Sequence, residues 1–444
     1  MRKLLRWTAA VGAVSLVPAW ILVVHPFLEV AAGYSATIAA LQHFGTGDSL
    51  ETIRAERLPL KIGFVELEVD EVERTVEARA LYASSRAVFR PGLGATREET
   101  RTAALPAGGL APANFGLDPE RAWPYGSSPG VAAFAPDVDG AAVRAALEEG
   151  LEPGRGTHAV LMAHRGALVF EDYRSGHDRT TPLLGWSMTK SVTATLVGRL
   201  VYQERLELEA SAPVAEWEAD ARSEISLDDL LRMRSGLEWH QDHATPFCDS
   251  LHMLFAAGSC SAAPRAKPLG HAVGERWSYS DGTSNILAAI VLDAVGGDLN
   301  RRLLAPRRLL FEPLGMESAF ITVDGAGTFV GSSLMYASAR DWARFGQLYL
   351  QDGVWDGARL LPESWVEDVA RPTPNSRGRR YGAHFWRIDE GPLEGVFSAQ
   401  GYQGQFVFID REREAVLVRL GVDPVRFDGP GFAHRVLTAL PGPR

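Results

Sequence analysis

The chain has 444 residues, of which 46% are hydrophobic and 23% charged. These are ordinary values for a folded globular protein, and they exclude a disordered, collagen-like or coiled-coil chain as the main class. Lys and Arg number 45 against 55 Asp and Glu, a net charge of -10; because an acidic surface repels phosphate backbones, we expect no nucleic-acid partner.

The amino terminus carries a targeting signal. Arg2, Lys3 and Arg6 precede an uncharged stretch from Trp7 to Leu28. A cleavable signal has an apolar region of roughly 7–15 residues, whereas about 20 residues span a bilayer. The length therefore favours a signal-anchor, a membrane helix retained in residues 1–33, over a cleaved signal peptide. The positive-inside rule then places the rest of the chain outside the cytoplasm, in the periplasm or extracellular space, and secreted if the segment is cut.

The next part of the chain, residues 34–125, is predicted to be an extension and linker. Alternating or β-branched stretches between Leu58 and Ala83 predict short strands. From Arg90 to Gly130 the chain is rich in Pro and Gly, which is typical of an extended connection. We therefore expect residues 126–444 to form the main domain.

Within the main domain, the pattern predicts strands first, then helices, then strands again. Two apolar strands flank a turn at Arg165-Gly166, and helical spacing follows from Met188 to Tyr202 and from Ser284 to Val295. Four late strands and a last helix are predicted at Tyr381–Asp389, Gly395–Ala399, Gln405–Asp410, Ala415–Leu420 and Phe432–Leu440. This order indicates an α+β fold, an α/β sandwich whose antiparallel sheet is built from both ends of the domain, with a helical subdomain inserted.

Only two cysteines are present, Cys248 and Cys260. In an exported protein a disulfide between them is the favoured interpretation, with free thiols as the alternative. His240 and His243 lie nearby, but the spacing of these four residues fits no compact zinc pattern, so a zinc site is the weaker hypothesis. We expect no metal and no cofactor.

The segment from Gly185 to Ser191 combines a serine and a lysine three residues apart at a predicted helix start. Three residues make about one helical turn, so Ser187 and Lys190 share a face and their side chains can meet. A serine hydroxyl is a weak nucleophile until a base takes its proton, and a desolvated lysine can serve as that base. Lysine is scarce here, with only four in the chain. The alternative is a helix cap beside a surface lysine.

Two later segments could complete a catalytic site. Tyr279 lies in a polar turn before a helix, where a neighbouring ammonium would favour its phenolate and make it a general base; an ordinary half-buried tyrosine is the alternative. The segment from Ser398 to Gln405 joins two late strands, and its glycines would let a substrate approach the backbone. One N–H there could join the N–H of Ser187 in an oxyanion hole, or the segment could be a plain hairpin.

Together, Ser-x-x-Lys, the Tyr279 turn and the late glycine segment resemble the serine β-lactamase and penicillin-binding-protein superfamily, in its class C-like branch with esterases and 6-aminohexanoate-dimer hydrolase. Further resemblance lies in Leu230–Leu237, which resembles the family's helix ending in Ser-Gly-Leu, and in Pro313–Met316 and Ser338–Asp341. The resemblance covers about residues 130–440.

The resemblance implies a role for each matching residue. Ser187 would be the acylated nucleophile, Lys190 its activating partner, and Tyr279 the base in acylation and the acid for the leaving group. The N–H groups of Ser187 and Gln405 would form the oxyanion hole, with Gly404 beside the substrate. Water would then release the acid from the acyl-enzyme, without a metal.

Two positions depart from the family pattern. Asp281 stands where the family has Asn, and its carboxylate would keep Lys190 charged and shift the base role to Tyr279; alternatively, Asn285 takes the place of the amide. Tyr402 stands where the family has Lys or His, so the cation that would bind a β-lactam carboxylate is missing.

We therefore predict a serine hydrolase, an esterase or amidase acting on a small neutral ester or amide. The alternative is a catalytically weak relative that binds peptidoglycan or a peptide in the same cleft.

Overall fold

The computed structural model describes residues 20–245, 248–376, 378, 380–422 and 427–442. Most of the predicted anchor, Trp7 to Leu28, therefore lies outside the described residues. In the described part of the chain, no helix combines the length and apolar character needed to cross a bilayer. A π-helical turn at Trp20–Val24 leads directly into helix α1, His25–Leu41, which continues through residue 33, where we placed the end of the anchor.

The N-terminal unit consists of α1, a short helix α2 at Leu50–Glu56, and a four-stranded antiparallel sheet. Its strands are β1 Glu66–Asp70, β2 Thr75–Ala80, β3 Ala83–Arg90 and β4 Gly94–Arg97, in that order across the sheet. The short strands expected between Leu58 and Ala83 are thus confirmed. Small residues on α1, including Ala32 and Ala36, are completely buried in the cluster that also holds Val76 and Ala87 of the sheet.

The connection to the main domain is extended. Residues 101–139 contain no helix or strand, as predicted, although β4 falls in the first part of the Pro/Gly-rich region. The N-terminal unit nevertheless packs closely on the rest of the chain. At Gly33 of α1, an added Cβ would lie 1.8 Å from the carbonyl oxygen of Phe255, so this contact requires glycine.

The central sheet has six antiparallel strands in the order β12-β13-β14-β15-β5-β6. Their bounds are β5 Thr157–His164, β6 Ala167–Tyr173, β12 Trp386–Arg387, β13 Phe397–Gly401, β14 Gln405–Asp410 and β15 Ala415–Gly421. Because β15 pairs with β5, the last part of the domain joins the first. The prediction of one antiparallel sheet assembled from both ends of the domain is confirmed.

One late strand was predicted too long. Between Tyr381 and Asp389 only Trp386–Arg387 is a strand, joined to Tyr381 by an isolated bridge. His384 has a φ of 61°, a left-handed conformation that interrupts an extended strand. Shorter strands lie elsewhere: β7 Leu183–Leu184, β8 Phe320–Ile321 and β9 Met335–Ala337 form a three-stranded sheet, and β10 Val354–Trp355 pairs with β11 Ala358–Arg359.

Helices cover both faces of the central sheet. The remaining helices are α3 Gly140–Glu149, α4 Met188–Tyr202, α5 Leu227–Leu231, α6 Asp249–Phe255, α7 Ala262–Ala266, α8 Asp281–Val295, α9 Leu299–Leu303, α10 Glu312–Leu314, α11 Ala339–Leu350, α12 Trp365–Ala370 and α13 Gly429–Leu437. Alternate residues of β5 enter different cores: Leu161 packs with α4, α8 and α11, whereas Val160 packs with α3 and α13. Both faces of the sheet are thus buried, as in an α/β sandwich.

Candidate active site

The candidate nucleophile lies where strand β7 turns into helix α4. Ser187 directly precedes α4, and its side chain is half-buried. Gly185 has no room for a side chain, since an added Cβ would lie 2.3 Å from Trp342. Trp186 has a φ of 47°. A bulky residue is uncommon in this left-handed region, and such backbone strain concentrates at functional sites.

The structure brings Lys190 next to Ser187. The Nζ of Lys190 donates to the Oγ of Ser187 at 3.2 Å and to the carbonyl oxygen of Ser332 at 2.9 Å. The same Nζ lies 2.5 Å from the Oδ1 of Asp281. The lysine and aspartate side chains are only 2% and 4% exposed, so the ion pair is buried.

Asp281 determines the charge state of Lys190. Burial alone would lower the pKa of Lys190, but the Asp281 carboxylate, with Tyr279, holds that pKa above its ordinary value. Burial likewise opposes ionisation of Asp281, but Lys190 holds the pKa of the carboxyl below its usual range. Asp281 also accepts hydrogen bonds from the hydroxyl of Ser250 and from Gln241, the latter at 2.8 Å. The pair is therefore an ammonium and a carboxylate.

Tyr279 is held on the other side of the lysine. Its ring centroid lies 4.9 Å from the Nζ of Lys190. The ring packs against Trp277, Tyr381 and Trp386, with centroid distances of 6.4, 6.0 and 5.6 Å. The next residue, Ser280, caps α8 by accepting from the backbone N–H of Thr283, which fixes the turn that carries the tyrosine.

The third predicted segment contributes Gly401 and Tyr402 to the site. Gly401 ends β13 against the nucleophile turn, where an added Cβ would lie 2.1 Å from the carbonyl oxygen of Gly185. Both Gly401 and Tyr402 line the same cavity as Ser187. The Tyr402 side chain is 62% exposed and packs edge-on against Trp186 at 5.7 Å.

The structure places Gln405, whose backbone N–H we assigned to the oxyanion hole, at the start of β14. Gln405 pairs with Gly401 across the hairpin, and its buried amide donates to the carbonyl oxygens of Tyr402 at 3.1 Å and Gly421 at 2.6 Å. It stabilises the hairpin and does not line the cavity. The same holds for Gly404, a turn residue with a φ of 76° that packs on Arg419. Of this segment, Gln400, Gly401 and Tyr402 line the cavity with Ser187 instead.

Asn285 also lies away from the cavity. Its amide donates to the carbonyl oxygen of Asp281 at 3.0 Å and to the hydroxyl of Ser332 at 2.9 Å. The Asn285 side chain is buried in α8, one helical turn beyond Asp281, the partner of Lys190. Of the two alternatives, Asp281 rather than Asn285 occupies the place beside Lys190, and a substrate-binding role for Asn285 is not supported.

The two cysteines are free in the structure, so the predicted disulfide is not formed. Both are buried, and burial raises the pKa of each thiol. The thiol of Cys260 instead donates to the carbonyl oxygen of Met253 at 3.5 Å. Within the described ranges, no group of three or more His, Cys, Asp or Glu residues could hold a metal ion.

A cavity of about 1180 Å³ opens in front of Ser187. Tyr279, Trp277 and Trp386 form an aromatic wall, and polar or charged residues form much of the rest. These include Gln241, Asp242, Glu275, Arg276, Asn375 and Gln400. No motif joins Gln241, Ser250 or Ser332 to Lys190 along the chain, so these three residues could not be predicted from the sequence.

Comparison with known proteins finds a matching family and similar sequences and folds. The sequence profile of the β-lactamase family matches residues 143–426. A 6-aminohexanoate-dimer hydrolase of Paenarthrobacter ureafaciens is 26% identical over 293 residues, covering 60% of this chain and 73% of that protein.

Two solved structures share the fold. A putative 6-aminohexanoate-dimer hydrolase from Bacillus anthracis has a TM-score of 0.54 at 22% identity, covering 69% of this chain and 85% of its own. A family VIII carboxylesterase has a TM-score of 0.53 at 15% identity, with coverage of 70% and 98%. The family profile spans well over half of the chain and includes Ser187, Lys190 and Tyr279. The chain therefore belongs to the β-lactamase family and has the fold of its hydrolases.

Proposed function

We propose that the protein is a serine hydrolase that cleaves an ester or amide bond through an acyl-enzyme on Ser187. The observation that carries this proposal is the contact of Ser187 with the buried Lys190–Asp281 pair, 3.2 Å from hydroxyl to ammonium. Burying a charged lysine costs desolvation free energy, even when the lysine is paired. Such a lysine in contact with a half-buried serine is therefore not explained by structure alone.

In acylation, Tyr279 is the general base. Asp281 holds Lys190 as an ammonium, so the lysine does not take the serine proton. Its Nζ orients the Ser187 hydroxyl and lies 4.9 Å from the centroid of the Tyr279 ring, where its positive charge assists the tyrosine as the base. The Oγ of Ser187 attacks the carbonyl carbon, and its proton passes to Tyr279. The oxyanion accepts hydrogen bonds from the backbone N–H groups of Ser187 and Tyr402.

The leaving group departs with the proton held by Tyr279. A water molecule, deprotonated by the same tyrosine, then attacks the ester of Ser187, and the collapsing intermediate returns a proton to Oγ. The products are an acid and an alcohol or amine. The positive end of helix α4 favours the negative charge that develops at its first residues.

The substrate is a neutral ester or amide. With the N–H of Tyr402 in the oxyanion hole, the position of the family's Lys or His falls two residues before Gly401, at Ala399, which carries no charge, so we expect poor turnover of β-lactams. The names of the related proteins, a 6-aminohexanoate-dimer hydrolase and a carboxylesterase, support hydrolase chemistry.

We also propose that the amino-terminal segment ahead of α1 anchors the protein in the membrane, with the catalytic domain outside the cytoplasm; residues 25–33 of the expected anchor belong to α1 and pack within the folded N-terminal unit. The support is the charge and apolar pattern from Arg2 to Leu28. A reporter that is active only outside the cytoplasm, fused after residue 442, would be active; an inactive reporter in a stable fusion would contradict the proposal.

Hydrolysis of a p-nitrophenyl ester tests the catalytic proposal. We expect Ser187→Ala to lower kcat/KM by at least about 10³-fold, the scale of losing a nucleophile. Ser84→Ala, an exposed serine on β3, is the matched control and keeps wild-type activity. No turnover by the folded wild type, with peptide or peptidoglycan bound in the cleft, would favour the catalytically weak binding protein instead.

A further inference from the structure

A second cavity reaches Ser187 from the N-terminal unit. It has a volume of about 580 Å³, within the roughly 300–1,000 Å³ typical of small-ligand sites. One wall is α1, which contributes Phe27, Val30 and Ala31, and the opposite wall is α6, which contributes Leu251, Leu254 and Phe255.

The lining of this cavity is predominantly apolar. Among the described residues, its acidic and basic side chains are Lys61, Asp281 and His243. Asp281 is neutralised by Lys190, while Lys61 and His243 are exposed and therefore belong to the rim. A cavity of this composition binds an alkyl chain better than a polar group.

The two cavities meet at the nucleophile but differ in which catalytic groups they contain. Among the described residues, Ser187 and Tyr402 line both cavities. Tyr279 lines the larger, polar cavity and not the apolar one. Tyr279 gives its proton to the leaving group, so the leaving group lies in the larger cavity. The acyl group, on the other side of the scissile carbonyl, must then point toward the apolar cavity.

We infer that the cavity between α1 and α6 is an acyl-chain site, and that the substrate is an ester or amide of a medium or long alkyl acid. This inference rests on the proposed function. The N-terminal unit thus forms part of the substrate site and is more than a spacer. Trp20, Val23 and Leu60, apolar side chains in the short turns that also contribute Val24 and Ile62 to this cavity, are exposed to solvent.

The acyl-length profile of p-nitrophenyl esters tests this inference. Burying one methylene raises kcat/KM about fourfold, so we expect octanoate to exceed acetate by at least about 100-fold. Leu254→Trp fills the cavity from α6 and Val30→Trp fills it from α1. Each should lower the octanoate-to-acetate ratio at least about tenfold. The control Val72→Trp, at an exposed turn between β1 and β2, should leave the ratio unchanged.

A binding measurement separates the two levels of the proposal. Titration calorimetry of Ser187→Ala with decanoate should show binding that Leu254→Trp weakens at least about tenfold. If decanoate binds in this way but no ester is turned over, the proposed function fails and the acyl site stands. If esters are hydrolysed without chain-length preference, or the two tryptophan variants leave the ratio unchanged, the acyl site is overturned and the proposed function stands.

Discussion

Removing the carboxylate beside Lys190 should destabilise the protein strongly. Breaking a buried ion pair by deleting one partner costs about 3–5 kcal/mol, because the remaining charge is left uncompensated. In Asp281→Ala the lysine keeps two acceptors, the carbonyl of Ser332 and the hydroxyl of Ser187, whereas Ser250 and Gln241 lose theirs. The acceptors that the lysine keeps lower the cost, and the hydrogen bonds that Ser250 and Gln241 lose raise it. We therefore expect a loss of about 4 kcal/mol in the free energy of unfolding at pH 7.

The pH dependence of that loss identifies its cause. In the wild type the lowered pKa of Asp281 gives stability that is lost as pH falls below about 4, and the raised pKa of Lys190 gives stability that is lost as pH rises above about 10. In Asp281→Ala, burial acts on Lys190 without the carboxylate, so the pKa of the lysine falls. The destabilisation caused by the unpaired Lys190 charge then becomes smaller as pH rises from 7 to 9.5, because the lysine can lose its proton in the folded state.

Urea unfolding of the wild type and Asp281→Ala at the two pH values provides the measurement. Asp356→Ala is the control, because it breaks the Arg121 ion pair, whose side chains are 46% and 52% exposed; it should change stability much less and equally at both pH values. If Asp281→Ala costs no more than Asp356→Ala, or its cost does not fall with pH, the buried ion pair is not what stabilises this site.

Three further substitutions and one substrate test the site. Tyr279→Phe should lower kcat/KM for an ester by about 10²–10⁴-fold with unchanged thermal stability, since only the proton-transfer group is lost; a near-wild-type rate would remove the tyrosine from catalysis. Gly401→Ala should lower the free energy of unfolding by about 1–3 kcal/mol and lower the activity, because the new Cβ would lie 2.1 Å from the carbonyl oxygen of Gly185. Gly108→Ala is the control, since nothing lies within 4 Å of its new Cβ, and it should change neither stability nor activity. Tyr402→Pro removes an oxyanion N–H and should lower kcat by about 10²–10³-fold, while Tyr402→Ala keeps the N–H and should lose far less; equal losses would place the oxyanion hole elsewhere. Nitrocefin should be hydrolysed at least about 100-fold less efficiently than an ester, and comparable rates would contradict the ester or amide assignment, because each missing charged contact costs about 1.5–3 kcal/mol.

Much of the fold follows from local pattern. The alternating late strands and the hairpin at Arg165 predict the antiparallel sheet, and the helical spacing from Met188 to Tyr202 matches the observed bounds of α4. Helical spacing alone brings Ser187 and Lys190 together. What depends on the tertiary fold could not be predicted in this way. The nearness of Gly401 to Gly185 fixes Tyr402 rather than Gln405 beside the nucleophile, and the packing of α1 on α6 creates the apolar cavity. The predicted disulfide between Cys248 and Cys260 was wrong because it rested on the expected export of the protein, and the sequence does not show how the two thiols lie relative to each other.

The most direct test of the central claim is to trap the nucleophile. The protein is treated with a fluorophosphonate probe, and the modified peptide is identified by mass spectrometry in the wild type, Ser187→Ala and Ser84→Ala. A single adduct on Ser187 in the wild type and in Ser84→Ala, and none in Ser187→Ala, is the predicted result. A folded wild-type protein that hydrolyses esters but carries its adduct on another residue, or carries none, would contradict the assignment of Ser187 as the acylated nucleophile.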